Sequence, residues 1–188
     1  MKSLLRILLP AFLLAQMAMA QRQETRTVYL VRHAEKASNA DDAPLSPAGQ
    51  KRADCLARAL KDAGIKQIYV TDAKRSQQTA APLAAALKIT PQIIAARDPN
   101  TLIRDLLYSG GGNILVVGHS NTIPFILARL KAGSVPPIAE NEYDRLFVTT
   151  VIEGGATQAS TLRYCDCAPG PAAPTAASKK KTPTTKKK

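Results

Sequence analysis

The 188-residue chain has only two histidines, His33 and His119, and three cysteines, Cys55, Cys165 and Cys167. These shortages exclude several chemistries at once. A structural zinc site needs four ligands, and a Cys-x-Cys pair with no histidine nearby does not supply them. Gly118-His119-Ser120-Asn121-Thr122 partly mimics a serine-hydrolase elbow, but no histidine follows His119 and the closing glycine is missing. No cysteine follows directly after Ala20, which argues against a bacterial lipoprotein. Beyond the first twenty residues no apolar run is long enough to cross a bilayer. The chain contains no internal repeat. Acidic residues are also scarce, 14 against 26 basic ones, for a net charge of +12. That excess is concentrated at the ends. Lys2 and Arg6 lie at the start, and Lys179, Lys180, Lys181, Lys186, Lys187 and Lys188 crowd the finish. The rest holds 18 basic and 14 acidic residues, so the high pI does not signal a basic binding face.

The opening segment combines a positive start, a mostly apolar stretch from Leu4 to Leu14 and an Ala18-Met19-Ala20 cleavage pattern before Gln21. It reads as a secretory signal peptide over residues 1–20. An uncleaved anchor is the weaker reading, because Pro10 and Gln16 interrupt a stretch already short for a span. The expected location is therefore outside the cytoplasm, periplasmic or secreted after cleavage near Ala20. Export favours oxidation, so Cys55 is expected either to bridge Cys165 or Cys167, tying the chain end to the core, or to stay a thiol with the other two. From Pro169 onward Pro, Ala, Thr, Ser and Lys dominate without apolar periodicity, which predicts a disordered tail over residues 169–188. One domain, residues 21–168, remains.

Within it, apolar runs alternate with amphipathic stretches. Strands are predicted over residues 27–32, 67–70, 92–95 and 113–118. Ser46-Pro47 reads as N-cap and first residue of a helix with Ala53, Leu56, Ala57 and Leu60 on its apolar stripe, stopped by Gly64. A second helix follows Lys74 and runs to Leu87, with Pro82 as a potential kink. A third begins at Asp98-Pro99, and a fourth runs from Asn121 to about Lys131. Residues 134–144 form a Pro-rich acidic loop, in which Glu142-Tyr143-Asp144 could reach the mouth of a site but are solvated by default. Two last strands, 146–152 and 156–164, are joined by a turn at Gly154-Gly155. The alternation predicts an α/β fold, a three-layer α/β/α sandwich with a mainly parallel central sheet and a C-terminal hairpin.

Val28-Tyr29-Leu30-Val31 is a buried-strand pattern that changes abruptly to Arg32-His33-Ala34-Glu35-Lys36. Charged chemistry is thereby placed at the carboxyl end of a strand, where open α/β sheets hold their sites. Arg75 follows a second apolar run, and His119 a third. Two guanidiniums can fork onto a tetrahedral anion. One imidazole can attack phosphorus and carry the phosphoryl group, and the other can stabilise its oxygens. With cations already around the phosphate, no metal or other cofactor is required.

Arg32-His33-Ala34-Glu35 resembles the R-H-G-E signature of the histidine phosphatase superfamily, the phosphoglycerate mutase-like group. Leu45-Ser46-Pro47-Ala48-Gly49-Gln50, Thr71–Ala80 and Val117-Gly118-His119-Ser120 resemble its later segments, in the same order. The resemblance spans Val28 to about Asn121. It implies His33 as nucleophile, with Arg32, Arg75 and His119 lining a phosphate pocket. The chain lacks the insertion on which the mutases carry a proton-donating Glu, and in its compactness it is similar to the small phosphohistidine protein phosphatases. The donor to the leaving oxygen must then be Asp98, Glu35 or Asp72. Asp98 is favoured because it follows a strand and precedes a helix, although an N-cap role fits it equally. Glu35 can instead orient a pocket arginine. Lys36, Ser120 and Asn121 are candidate neighbours of the pocket.

The function expected is metal-independent hydrolysis of a phosphomonoester through a phosphohistidine, on a small molecule or a phosphorylated envelope component. The competing reading is a non-catalytic binder on the same fold, whose lysine tail holds anionic surfaces or nucleic acid through weak, salt-sensitive contacts.

Overall fold

The computed structural model describes residues 25–108, 111–152 and 155–165. The expected signal peptide, the Lys-rich tail, Cys167 and Gly154 lie outside these residues. No helix among the described residues is long and apolar enough to cross a membrane.

The elements run β1 (Arg26–Arg32), α1 (Pro47–Leu60), β2 (Ile65–Thr71), α2 (Lys74–Leu87), β3 (Gln92–Ile94), α3 (Asn100–Tyr108), β4 (Asn113–Gly118), α4 (Thr122–Arg129), β5 (Arg145–Ile152), β6 (Gly155–Ala156) and β7 (Ser160–Arg163). They build one sheet in the order β3-β2-β4-β1-β5-β6, with β7 also paired to β5. The strands β3, β2, β4 and β1 are mutually parallel. The last three form an antiparallel extension that begins where β5 pairs with β1.

Strand pleat sorts the apolar side chains into two cores. On one face Val28 and Leu30 of β1, Ile114 and Val116 of β4 and Phe147 of β5 pack against Leu102 and Leu106 of α3 and Ile123 and Leu127 of α4. On the other, Val31, Leu115, Val117, Ile68 and Val70 pack against Leu56 and Leu60 of α1 and Leu83 of α2. The result is the three-layer sandwich that the alternating pattern predicts.

Ser46 caps α1 by accepting from the Gly49 N–H at 3.1 Å, and α2 continues through Pro82 without a break. Several boundaries differ from expectation; the second strand, for one, extends to Ile65–Thr71. The third helix starts at Asn100, because Asp98 sits outside it and accepts from the Asn100 N–H at 3.1 Å. The fourth ends at Arg129, and Lys131 follows in a left-handed conformation (φ 61°). The returning strand of the hairpin is divided into β6 and β7. Pairing shifts by one residue between Val151↔Ala156 and Val148↔Ser160, and in the gap Ala159 N–H donates to the Ala132 carbonyl at 2.8 Å. That is a bulge, with the backbone turned toward the segment after α4.

The Cys55 and Cys165 sulfurs are bonded, joining α1 to the residue after Tyr164. Of the expected alternatives, the bridge to Cys165 is the one formed.

The two chain reversals that matter for function occur at β1 and β4. The chain leaves β1 toward the α1/α2 face and leaves β4 toward the α3/α4 face. The loops after these adjacent strands therefore part, and a crevice opens at their carboxyl ends.

Candidate active site

Arg32, the last residue of β1, lies opposite Gly118, the last of β4, and the His33 N–H donates to the Gly118 carbonyl at 2.8 Å. Each strand is followed at once by a histidine. The two rings therefore meet across the crevice, with centroids 5.2 Å apart at an interplanar angle of 65°. Arg75 reaches the same place from the first turn of α2. Together with Lys36, Arg97, Ser120, Asn121 and Glu140 they line a cleft of about 390 Å³.

His33 is 4% exposed, and its Nδ1 lies 2.8 Å from the Ala34 carbonyl oxygen. A carbonyl only accepts, so Nδ1 carries the proton and Nε2 keeps its lone pair. Burial pushes the pKa of His33 down to about 3. The Ala34 hydrogen bond opposes the shift, and the nearby His119, Arg75 and Arg32 add to it. This imidazole is neutral at any physiological pH. His119 has its Nε2 3.0 Å from Thr71 Oγ1, whose hydroxyl is given to Ser76 Oγ at 2.6 Å. Thr71 thus accepts from His119 Nε2–H. Burial and then Arg75 lower His119 to about 4, with Asp72 opposing. An arriving phosphate offsets the positive charge around both rings and favours a proton on His119, which can then donate to a developing negative charge.

The two arginines are held differently. Arg32 is 4% exposed and sits under the loop before β5. Its Nη1 donates to the carbonyls of Ala139 (2.8 Å), Glu140 (3.0 Å) and Glu142 (3.3 Å), and its Nη2 to Glu140 Oε2 (3.0 Å). The Tyr143 ring covers its guanidinium at 4.4 Å. Arg75 Nη1 donates to the Asp41 carbonyl at 2.6 Å. In both, Nε is buried with no partner among the described residues. A buried guanidinium N–H without an acceptor is costly. Two of them beside a pair of imidazoles mark a place built to receive oxyanion oxygens.

The surrounding motif residues hold this geometry. Thr79 Oγ1 accepts from the Ala34 N–H at 2.9 Å and donates to the Arg75 carbonyl at 2.7 Å, tying the loop after β1 to the helix that carries Arg75. Gln78 Oε1 accepts from the Leu45 N–H at 2.7 Å. Gly49 lets α1 lie against the backbone of Glu35, where any Cβ would collide with the Glu35 carbonyl. Gly118 gives α4 the same clearance, since a Cβ there would meet Thr122 Oγ1 at 2.8 Å. Thr122 uses that oxygen to accept from the His119 N–H at 2.8 Å.

The structure thus brings together Arg32, His33, Arg75 and His119, with Lys36, Ser120 and Asn121 beside them. It does not bring Asp98 in. That side chain is exposed and caps α3, while its neighbours Ala96 and Arg97 face the cleft. Glu35 also lies off the pocket. It is bound by Arg52 of α1 through Nε (2.9 and 3.0 Å) and Nη2 (2.7 Å), so it orients the scaffold and neither cleft arginine. Asp72 is exposed, with Oδ1 3.4 Å from the Ala96 N–H. Two contributors escaped the sequence reading, Glu140 and Arg97, and Tyr143 lies against Arg32 where solvation is the default expectation. The loop 134–144 reads as solvated because its grip on Arg32 is mostly through carbonyls, which leave no side-chain signature. A second cavity of about 390 Å³, lined by Lys51, Arg58 and the disulfide, contains neither imidazole.

Comparison with known proteins agrees with this architecture. The sequence model of the histidine phosphatase superfamily (branch 1) matches residues 28–97. Among solved structures, the protein histidine phosphatase SixA complexed with tungstate superposes with a TM-score of 0.63, at 21% identity over 73% of this chain and 96% of that one. A mycobacterial glucosyl-3-phosphoglycerate phosphatase bound to inorganic phosphate gives 0.58, at 14% identity over 73% and 95%. A protein described as mycobacterial hydrolase 1 gives 0.57, at 14% identity over 73% and 97%. At these identities the structural matches establish the fold. No curated protein sequence matches the chain.

Proposed function

We propose that this chain, which belongs to the histidine phosphatase superfamily, is an exported phosphatase that hydrolyses a phosphomonoester through a phosphohistidine on His33 and needs no metal ion. The observation that carries this reading is the state of His33. It is a buried, neutral imidazole whose Nδ1–H is fixed on the Ala34 carbonyl, beside two arginines whose Nε–H groups have no partner among the described residues.

In the first step the Nε2 lone pair forms a bond to phosphorus while the bond to the leaving oxygen breaks. Arg32 and Arg75 hold the equatorial oxygens, and the leaving oxygen takes a proton from water. In the second step water attacks the same phosphorus and gives a proton to the solvent, which replaces the one taken by the leaving oxygen; the P–N bond breaks and inorganic phosphate departs. His33 is left as it began. Charge on the transferring group is balanced by guanidiniums, so the scheme requires no Lewis acid. His119, protonated once the anion is bound, is placed to stabilise the oxygens.

Two features support export: the signal-like residues 1–20, and a Cys55–Cys165 bridge of the kind that persists in oxidising compartments. The cleft is lined by charged and polar groups, which suits a hydrophilic phosphorylated substrate, a small molecule or an envelope component.

The test is hydrolysis of p-nitrophenyl phosphate by the mature protein with EDTA present, wild type beside His33→Ala. Metal-free turnover that disappears in the variant is the expected result. Turnover that survives in His33→Ala, or that EDTA abolishes, would reject the scheme. An N-terminus beginning at Gln21 in protein recovered outside the cytoplasm would support export, and an intact Met1 would argue against it.

A further inference from the structure

Resting on the phosphate-pocket reading above, we propose that the Glu140 carboxylate is an internal anion that holds Arg32 until a phosphoryl group displaces it, and so limits how tightly the pocket retains inorganic phosphate.

Arg32 has two kinds of partner. Its Nη1 is cradled by the backbone carbonyls of Ala139, Glu140 and Glu142. Its Nη2 is held by a carboxylate, Glu140 Oε2, at 3.0 Å. The carbonyl cradle is independent of the Glu140 side chain. It is itself steadied by Glu142, whose Oε2 accepts from the Ala139 N–H at 3.0 Å. Withdrawing the carboxylate therefore leaves Arg32 in place.

The two ends of this ion pair differ sharply in exposure. The Arg32 side chain is 4% exposed and that of Glu140 is 85% exposed. Glu140 can turn into water at little cost, whereas the guanidinium cannot follow it. Among the described residues Glu140 is also the sole acidic side chain lining the cleft, among Arg32, Arg75, Arg97 and Lys36. A phosphoryl oxygen seeking Nη2 meets a like charge already there, and both cannot occupy the site without repulsion. Arrival of phosphate is thus an exchange of one anion for another on a fixed cation. After turnover, inorganic phosphate sits on the same nitrogens, and a tethered carboxylate competes for them at high effective concentration. The Nε–H of Arg32 has no such competitor.

The experiment is calorimetric titration of inorganic phosphate into the whole mature protein with its disulfide intact. Wild type is compared with Glu140→Gln, Glu140→Ala and Arg75→Ala, each checked for folding by thermal melting. Glu140→Gln and Glu140→Ala are expected to bind phosphate about two- to fivefold more tightly, the range for an ion pair with an exposed partner. The inhibition constant for phosphate during turnover should fall with it. Raising ionic strength should narrow the gap to wild type, an effect that a purely structural role would not produce. Equal or weaker binding in the folded Glu140 variants would overturn the proposal and make Glu140 an orienting group for Arg32. If wild type binds phosphate and Arg75→Ala weakens it, that failure belongs to Glu140 alone. If neither wild type nor Glu140→Gln binds phosphate, the pocket reading itself falls, and this proposal with it.

Discussion

The parallel half of the sheet and its antiparallel extension are held by different forces and contribute differently to the cleft. In the parallel half, β1 and β4 are buried on both faces and paired residue for residue up to Arg32 and Gly118. The two histidines are the next residues along. Their placement follows from strand ends in register, with dispersion and burial supplying rigidity. The antiparallel extension relies on charge and a covalent link. Glu142 is bound by Arg145 at 3.0 Å and by Arg163 at 3.2 Å, Asp144 by Arg163 at 2.6 Å, and Cys55 is bonded to Cys165. β7 itself is exposed along its whole length. From this half comes the loop that cradles Arg32. The two histidines follow the strands buried on both faces, and Glu140 sits on the part held by pairs that water can loosen.

The comparison can be tested by damaging each half in turn. His33→Ala, in the parallel half, is expected to lower turnover by about 10⁴-fold, because it removes the attacking lone pair. A loss under tenfold on p-nitrophenyl phosphate would place the chemistry elsewhere. Breaking the disulfide, by Cys55→Ser or by reduction, strikes the antiparallel half. The bridge closes a loop spanning 110 positions, so its loss should cost about 3–5 kcal/mol in denaturant unfolding. An unchanged midpoint would mean that the chain end is held by other contacts. Gly49→Ala strikes the junction of α1 with the nucleophile loop. The added methyl cannot fit beside the Glu35 carbonyl, and a loss of about 1–3 kcal/mol is expected, with reduced turnover because His33 lies two residues from the collision. Stability that equals wild type would show that α1 can shift without cost.

The smallest effect concerns protons. The unfolded chain's histidines take up protons near pH 6.5, while His33 and His119 in the fold resist them until about 3 and 4. Both pKa values are depressed by folding. Their contribution to stability is therefore full above about pH 6.5 and is lost as pH falls through the window down to about 3. Since the natural sequence holds just two histidines, imidazole NMR resolves both. Neither should titrate between pH 8 and 5. A midpoint near 6.5 for His33 would contradict the buried, neutral nucleophile.

The regions also differ in how much of them can be read before folding. The parallel half was legible because its information is local. A buried strand shows as an apolar run, and its end shows as the switch to Arg32-His33 or to Gly118-His119. The scaffold around the cleft was legible in part, since Ser46 does cap α1 as the Ser46-Pro47 pair predicts. Asp98 illustrates the limit. Its position between a strand and a helix fits both a cap and a proton donor, and spacing alone does not say which way the carboxyl turns. The structure places it on the Asn100 N–H.

What the sequence by itself determined is the class of fold, the four cleft residues Arg32, His33, Arg75 and His119, and the cysteine that a bridge would start from. Periodicity and strand ends encode these within a few neighbouring residues. What only the tertiary structure decided is the pairing of Cys55 with Cys165, the lack of a partner among the described residues for Arg32 Nε and Arg75 Nε, and the grip of Ala139, Glu140 and Glu142 on a guanidinium 107 to 110 positions away. Those contacts run through backbone carbonyls and long-range closure. Neither depends on side-chain type at a fixed spacing, so neither could be read along the chain.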